Sequence, residues 1–275
     1  MRSWSNPKAV ESDSILLTVE GGVAVMTLNR PESLNALNSE MSNALVEITN
    51  QVEHDPAIRC LLIRGAGSAF MAGGDIKEFS GILDADPETR RICFQHSING
   101  MHHAMISLRR MRKPVVAAVQ GAAAGFGLSL VLACDMAIAA DNSIYTLAYS
   151  QLGTTPDGGG SFFLARTVGM KKAMEIAMLS DRFDAATAVA LGIINKTVPA
   201  DDLDDEAMTL ARRLADGPTH ALANAKMLIN QAVEVPLEVQ LQAEADNFAD
   251  CAATDDFVEA VRAFIDKRKP AFTGK

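Results

Sequence analysis

Cysteine is scarce in this chain, and what there is lies scattered. Cys60, Cys93, Cys134 and Cys251 form no CxxC pair, so a zinc module is excluded and no metal site is expected. Three of the four stand in apolar runs, where a thiol serves as a small buried hydrophobe, as expected of a cytoplasmic protein. Basic clusters are missing as well. Lys and Arg number 25 against 34 Asp and Glu, a net charge of −9, whereas a nucleic-acid groove needs the opposite balance. No long block of like charge occurs, and a hydrophobic share of 48% excludes intrinsic disorder. The opening residues MRSWSNPKAVESD carry no apolar stretch of the signal-peptide kind. One uncharged run, Pro114 to Cys134, is long enough to span a membrane. Gln120, Gly121, Gly125 and Gly127 divide it instead into a strand, a glycine turn and a buried helix. Neither a GxGxxG nor a P-loop pattern stands with its required flanks.

What is present is an alternation of strands, helices and glycine turns. A length of 275 residues allows one large domain or two small ones. Ile15–Val19 and Val23–Leu28 read as a hairpin around Gly21-Gly22. Ser39 is the expected N-cap of a helix that runs to Asp55-Pro56. Further strands are expected at Cys60–Arg64, Val115–Val119, Met136–Ala139, Ser143–Thr146 and Asn195–Val198. Helices are expected at Ile76–Phe79, Glu88–Met111, Leu128–Cys134, Ser161–Val168, Lys171–Leu179 and Ala185–Leu191, with Gly121–Gly127 read as a turn. From Asp201 the pattern is helical throughout. The pattern predicts an α/β core over residues 1–200 and a helical region over 201–275 used for packing or assembly.

Two glycine loops stand immediately before helices, at Gly73-Gly74-Asp75 and at Gly125-Phe126-Gly127. Main-chain N–H groups left free there, at the positive end of a helix dipole, suit a ligand that carries or develops negative charge. Read from spacing alone, tight turns needed only for packing fit equally well.

Several segments carry a resemblance. Asn29-Arg30-Pro31 with Leu34-Asn35-Ala36-Leu37, the run Ala69 to Glu78, Lys113-Pro114-Val115 with Gly121 to Gly127, Cys134-Asp135 and Phe264 to Arg268 together resemble the crotonase (enoyl-CoA hydratase/isomerase) superfamily. The likeness covers nearly the whole chain in order. It implies a ββα superhelix with a helical C-terminal region, an acyl-CoA substrate, coenzyme A as part of that substrate with no permanently bound cofactor, and a homotrimer or hexamer. Carried over by position, the amides of Gly74 and Phe126 would bind the thioester oxyanion. Phe126 stands where many members have glycine. Ala36, Ala72, Gly73, Asp75, Ile76 and Tyr149 would line the substrate site, and Phe264 and Lys267 would reach a neighbouring subunit's CoA.

The reaction depends on the side chains that face the acyl group. Hydratases of the superfamily hold a water between two glutamates, and those positions here are Ser129 and Tyr149, neither of them a carboxylate. Asp157, in Thr155-Pro156-Asp157-Gly158-Gly159-Gly160, reads from the residues either as a helix N-cap or as an acid/base. The resemblance favours the second, since certain enoyl-CoA isomerases, including the phenylacetate type, place their acid/base there and chlorobenzoyl-CoA dehalogenase its nucleophile. An apolar surround would lift its pKa above the usual value of about 4. His102 matches the dehalogenase's histidine by position, while His102 and His103 also read as ordinary surface histidines. The expectation is therefore an isomerase using Asp157. A hydratase with a non-standard site, a dehalogenase or hydrolase using Asp157 with His102, and a non-catalytic binding protein of the same fold stand as alternatives.

Overall fold

The computed structural model describes residues 12–275, so most of the polar leader lies outside the described residues. β1 (Ile15–Glu20) and β2 (Val23–Leu28) form the expected hairpin. The chain then runs through α1 (Ser39–His54), β3 (Cys60–Gly65), the short α2 (Ile76–Ser80) and the long α3 (Pro87–Arg110). Next come β4 (Val115–Val119), β5 (Ala122–Ala124), α4 (Phe126–Ala133), β6 (Met136–Ala140) and β7 (Ile144–Thr146). A third round brings α5 (Gly160–Val168), α6 (Met170–Leu179), β8 (Phe183–Asp184), α7 (Ala185–Ala190) and β9 (Lys196–Val198). Four helices close the chain: α8 (Leu203–Ala215), α9 (Thr219–Ala232), α10 (Leu237–Ala252) and α11 (Asp255–Ile265).

The larger sheet has the order β1-β2-β3-β4-β6-β9, parallel except for the β1–β2 hairpin. The smaller sheet, β5-β7-β8, lies beside it. Within this sheet β2, β3, β4 and β6 are each followed by a short strand or loop of a second layer and by a helix, which is the anticipated α/β superhelical plan.

Strand alternation divides the core in two. Val23, Val25, Cys60, Leu62, Val116, Ala118 and Ile138 face Leu203, Ala207, Ala211 and Ala215 of α8. Their neighbours Ala24, Met26, Leu61, Ile63 and Ala117 face α1, α3 and α4 on the other side. With both faces covered, β4 reads VVAAV and is buried throughout, as a central parallel strand should be. The small side chains of α8, spaced by four, let that helix lie close on the sheet. The first helix of the C-terminal stretch thus completes the core, while α9, α10 and α11 extend beyond it.

Three expectations are corrected. The cap of α1 is Asn38, whose side chain accepts from the Met41 amide at 2.9 Å. Its extended backbone presents the carboxamide to that orphan donor, and Ser39 becomes the first helical residue, bonded to Glu78. The run Gly121–Gly127 is not one turn. Its three alanines form β5, which pairs with β7, and α4 starts at Phe126, two residues before the expected Leu128. The two-residue β8 had no sequence signal.

Asn35 explains the motif Leu34 to Leu37. It is fully buried in a left-handed conformation at φ 57°. Its Nδ2 donates to the carbonyls of Ala66, Ala69 and Phe70, and its Oδ1 accepts from the Arg30 amide. Asn35→Ala would orphan these groups in the core, and we expect it to cost at least about 2 kcal/mol, read by denaturant unfolding. A loss within error would show that water satisfies them equally well.

Candidate active site

The two glycine loops meet. Met71 and Ala123 bridge the layers, with the Met71 amide on Ala122 O at 3.0 Å and the Ala124 amide on Met71 O at 2.9 Å. A Cβ on Gly73 would stand 3.2 Å from the Ala124 carbonyl oxygen and 3.7 Å from Gly125 Cα, so the loops pack backbone to backbone. Gly125 caps α4 at φ 52°, ψ −120°, a conformation open to glycine only. Among the described residues, neither the Gly74 nor the Phe126 N–H donates to an acceptor of the chain. Two free amides therefore stand on abutting loops, each next to a helix start.

Asp75 anchors the first loop. Its carboxylate accepts from the Lys77 and Glu78 amides as the cap of α2 and pairs with Arg30 at 2.8 Å. Burial works against its charge, but Arg30 and the two amides prevail and hold its pKa below the usual carboxylate range. Arg30 also donates to the Ala36 carbonyl at 2.5 Å. Arg30 and Asn35 were motif residues without a role in the sequence; they hold the loop residues in place. Ala72 is half-buried, with its amide on Leu34 O, and Ile76 is exposed on α2.

A second group gathers around Asp157. The cap of α5 is Gly159, with no side-chain capping bond, so the N-cap reading of Asp157 is corrected. Its carboxylate turns instead to Tyr149, whose hydroxyl donates to Oδ1 at 2.5 Å. The same hydroxyl lies 3.2 Å from Oγ of Ser129, a fully buried residue of α4. On the other side the Gly158 amide donates to Nε2 of His102 on α3 at 3.3 Å. His103, one residue on, is exposed. The Phe126 ring closes the remaining side, because a Cβ on Gly158 would stand 2.7 Å from it.

Burial raises the Asp157 pKa above the usual value, against the pull of the Tyr149 hydrogen bond and of His102. Burial also pushes the Tyr149 phenol well above its ordinary range, so it remains a donor. Among the described residues no group of three or more His, Cys, Asp or Glu could hold a metal ion, and no helix is long and apolar enough to cross a membrane.

Residues 18–275 match the sequence model of a protein family described as enoyl-CoA hydratase/isomerase. The chain belongs to that family. It is 41% identical over 262 residues to the 1,2-epoxyphenylacetyl-CoA isomerase of Escherichia coli K12, covering 95% of this chain and 98% of the relative. It is 37% identical over 261 residues to a probable enoyl-CoA hydratase of Mycobacterium bovis, over 95% and 98% of the two chains. Among solved structures, an enoyl-CoA hydratase from Polaromonas sp. JS666 superposes with a TM-score of 0.88 at 40% identity, covering 94% of this chain and 99% of that one.

The chain is thus a member of the enoyl-CoA hydratase/isomerase family, and the superposition shows the crotonase plan. The expected residues do not all converge within the chain. Asp157, Tyr149 and Ser129 join through hydrogen bonds, while Phe126 and His102 meet them at Gly158 and Gly74 lies on the abutting loop. Phe264 is 87% exposed near the end of α11, and Lys267 is exposed just beyond it, apart from this group. The links from Tyr149 to Asp157 and from Gly158 to His102 escaped sequence reading. Eight residues and a one-turn 3₁₀ segment (Tyr149–Leu152) separate the first pair, so no periodicity marks it.

Proposed function

We propose that the protein shifts a double bond in an enoyl-CoA, with Asp157 as the acid/base and the Gly74 and Phe126 amides receiving the thioester oxygen. The carboxylate takes a proton from one carbon of the enolisable thioester. Charge then collects on the thioester oxygen, where two preorganised amides stabilise it. The same carboxyl returns the proton two carbons away. Coenzyme A enters and leaves with the substrate, and the reading needs no resident cofactor. The loop residues Ala72 to Ile76, with Ala36, are assigned to the CoA moiety.

One observation carries the choice of isomerisation. Ser129 and Tyr149, at the two positions where hydratases of the family hold a water, hydrogen bond to each other instead, and Asp157 is the carboxylate beside them. The Escherichia coli relative is likewise named an isomerase, of 1,2-epoxyphenylacetyl-CoA, while the Mycobacterium bovis relative is named a probable hydratase. His102 is assigned a supporting part, since its Nε2 is engaged by the Gly158 amide. The test is a turnover screen of 2-enoyl-, 3-enoyl- and aryl-CoA thioesters with wild type and Asp157→Asn. Turnover of 3-enoyl-CoA that depends on Asp157 is expected; turnover confined to aryl-CoA would favour a hydrolytic or dehalogenating role.

The same reading extends to assembly. Phe248, Phe264 and Ile265 are 70%, 87% and 71% exposed on α10 and α11, more apolar surface than a free helix pair carries comfortably. We infer a homotrimer or a dimer of trimers, in which Phe264 and Lys267 lie near a neighbour's CoA. Light scattering should return a mass of at least three 29.3-kDa chains. A compact monomer at micromolar concentration would refute it.

A further inference from the structure

We propose that Tyr149 is a positioning residue whose hydroxyl holds Asp157 by Oδ1 and thereby dedicates Oδ2 to proton transfer. The inference rests on the reading of Asp157 as the base and adds what prepares it. Tyr149 has one hydroxyl proton. The Asp157 carboxylate, an acceptor only, takes it at 2.5 Å. With that proton committed, the Tyr149 oxygen can only accept at its 3.2 Å contact with Ser129 Oγ, which also has the Gly125 carbonyl as an acceptor at 3.5 Å, so the link between the two hydroxyls runs one way, from α4 through Tyr149 to Asp157. Ser129 is completely buried and cannot turn to water. Oδ2 of Asp157 accepts no hydrogen bond among the described residues, yet it is not among the buried unpartnered atoms. It is the oxygen left open to a substrate.

Two consequences follow for the reaction. A carboxylate with one oxygen tied down presents the other at a fixed angle, and a proton taken on Oδ2 is returned from Oδ2, without rotation about the side chain. The donated bond also favours the ionised form, which burial alone would disfavour. The groups facing Asp157 are Tyr149, Ser129 behind it, and His102 across Gly158; of these only Tyr149 donates to the carboxylate.

The experiment compares pH profiles of kcat/KM for isomerisation of a 3-enoyl-CoA. In Tyr149→Phe the acid limb should move to higher pH by about one unit, because a hydrogen bond to a charged group is lost. kcat at neutral pH should fall about tenfold with KM little changed. A purely structural tyrosine would scale the whole profile down without moving the limb.

Should Tyr149→Phe fold poorly, incorporation of 3-fluorotyrosine supplies the opposite perturbation. The chain has only two tyrosines, and a Tyr145→Phe background confines the label to Tyr149. The more acidic phenol donates more strongly, so the limb should move to lower pH. A limb that stays in place in both proteins, while Asp157→Asn is inactive, overturns the positioning role and leaves the base intact. An active Asp157→Asn that keeps the wild-type limb overturns both.

Discussion

Asp157→Asn should lower turnover of a 3-enoyl-CoA by at least about 100-fold, the low end of what a general acid/base contributes. The substitution is a clean one. Asp157 does not cap α5, so the helix start at Gly159 loses nothing. The Asn oxygen can still accept from Tyr149, and only the proton acceptor disappears. Substrate binding rests on main-chain groups of other loops, so KM should change much less than kcat. Stability moves in the opposite direction from activity. The folded-state pKa of Asp157 is raised, so its favourable contribution is complete below the unfolded-state pKa and is lost as pH rises through the folded value. Above that folded value the wild type bears an ionised, half-buried carboxylate that the neutral variant avoids, and there Tm of Asp157→Asn should equal or exceed that of wild type. Undiminished 3-enoyl-CoA turnover in a correctly folded variant would sink the assignment and make His102 the next residue to replace.

Hydration of crotonyl-CoA should be slower than isomerisation by at least about 1,000-fold. Each of the two acid/base groups of a hydratase is worth about 100- to 10,000-fold, and here neither position can supply one. Ser129 is fully buried and hydrogen bonded. The Tyr149 phenol, driven well above its ordinary pKa, cannot deprotonate water near neutrality. The measurement is loss of the conjugated thioester absorbance at saturating substrate, with hydroxyacyl-CoA product identified by mass. Hydration at the rate of an efficient enzyme would mean that Asp157 can orient and activate water by itself.

Much of this was legible in the chain because it depends on local chemistry. The hairpin and the all-apolar β4 follow from turn residues and periodicity, and their bounds agree within a residue or two. The resemblance supplied the superhelix and pointed to Gly74, Phe126 and Asp157. What was not legible depends on contacts between distant segments. β5 is three alanines, which propensity reads as turn or helix; only pairing with β7 makes it a strand. The Asn35 carboxamide reaches carbonyls more than thirty residues away. Tyr149 is the plainest case. In the sequence it is a missing glutamate, and only the fold shows that its hydroxyl donates to Asp157.

The contact between Tyr149 and Asp157 also constrains how such a site changes over generations. A glutamate at position 149 would set a second carboxylate against Asp157 at hydrogen-bond range, and two buried like charges cannot both ionise there. Gaining that glutamate while Asp157 remains yields a pair sharing one proton, in which Asp157 no longer titrates as a base of its own. Losing Asp157 first yields a site with no carboxylate at either position. Every single-step route between the two chemistries thus crosses an intermediate with an impaired base. Descent through this fold should show positions 149 and 157 exchanged together, with few lineages carrying a carboxylate at both.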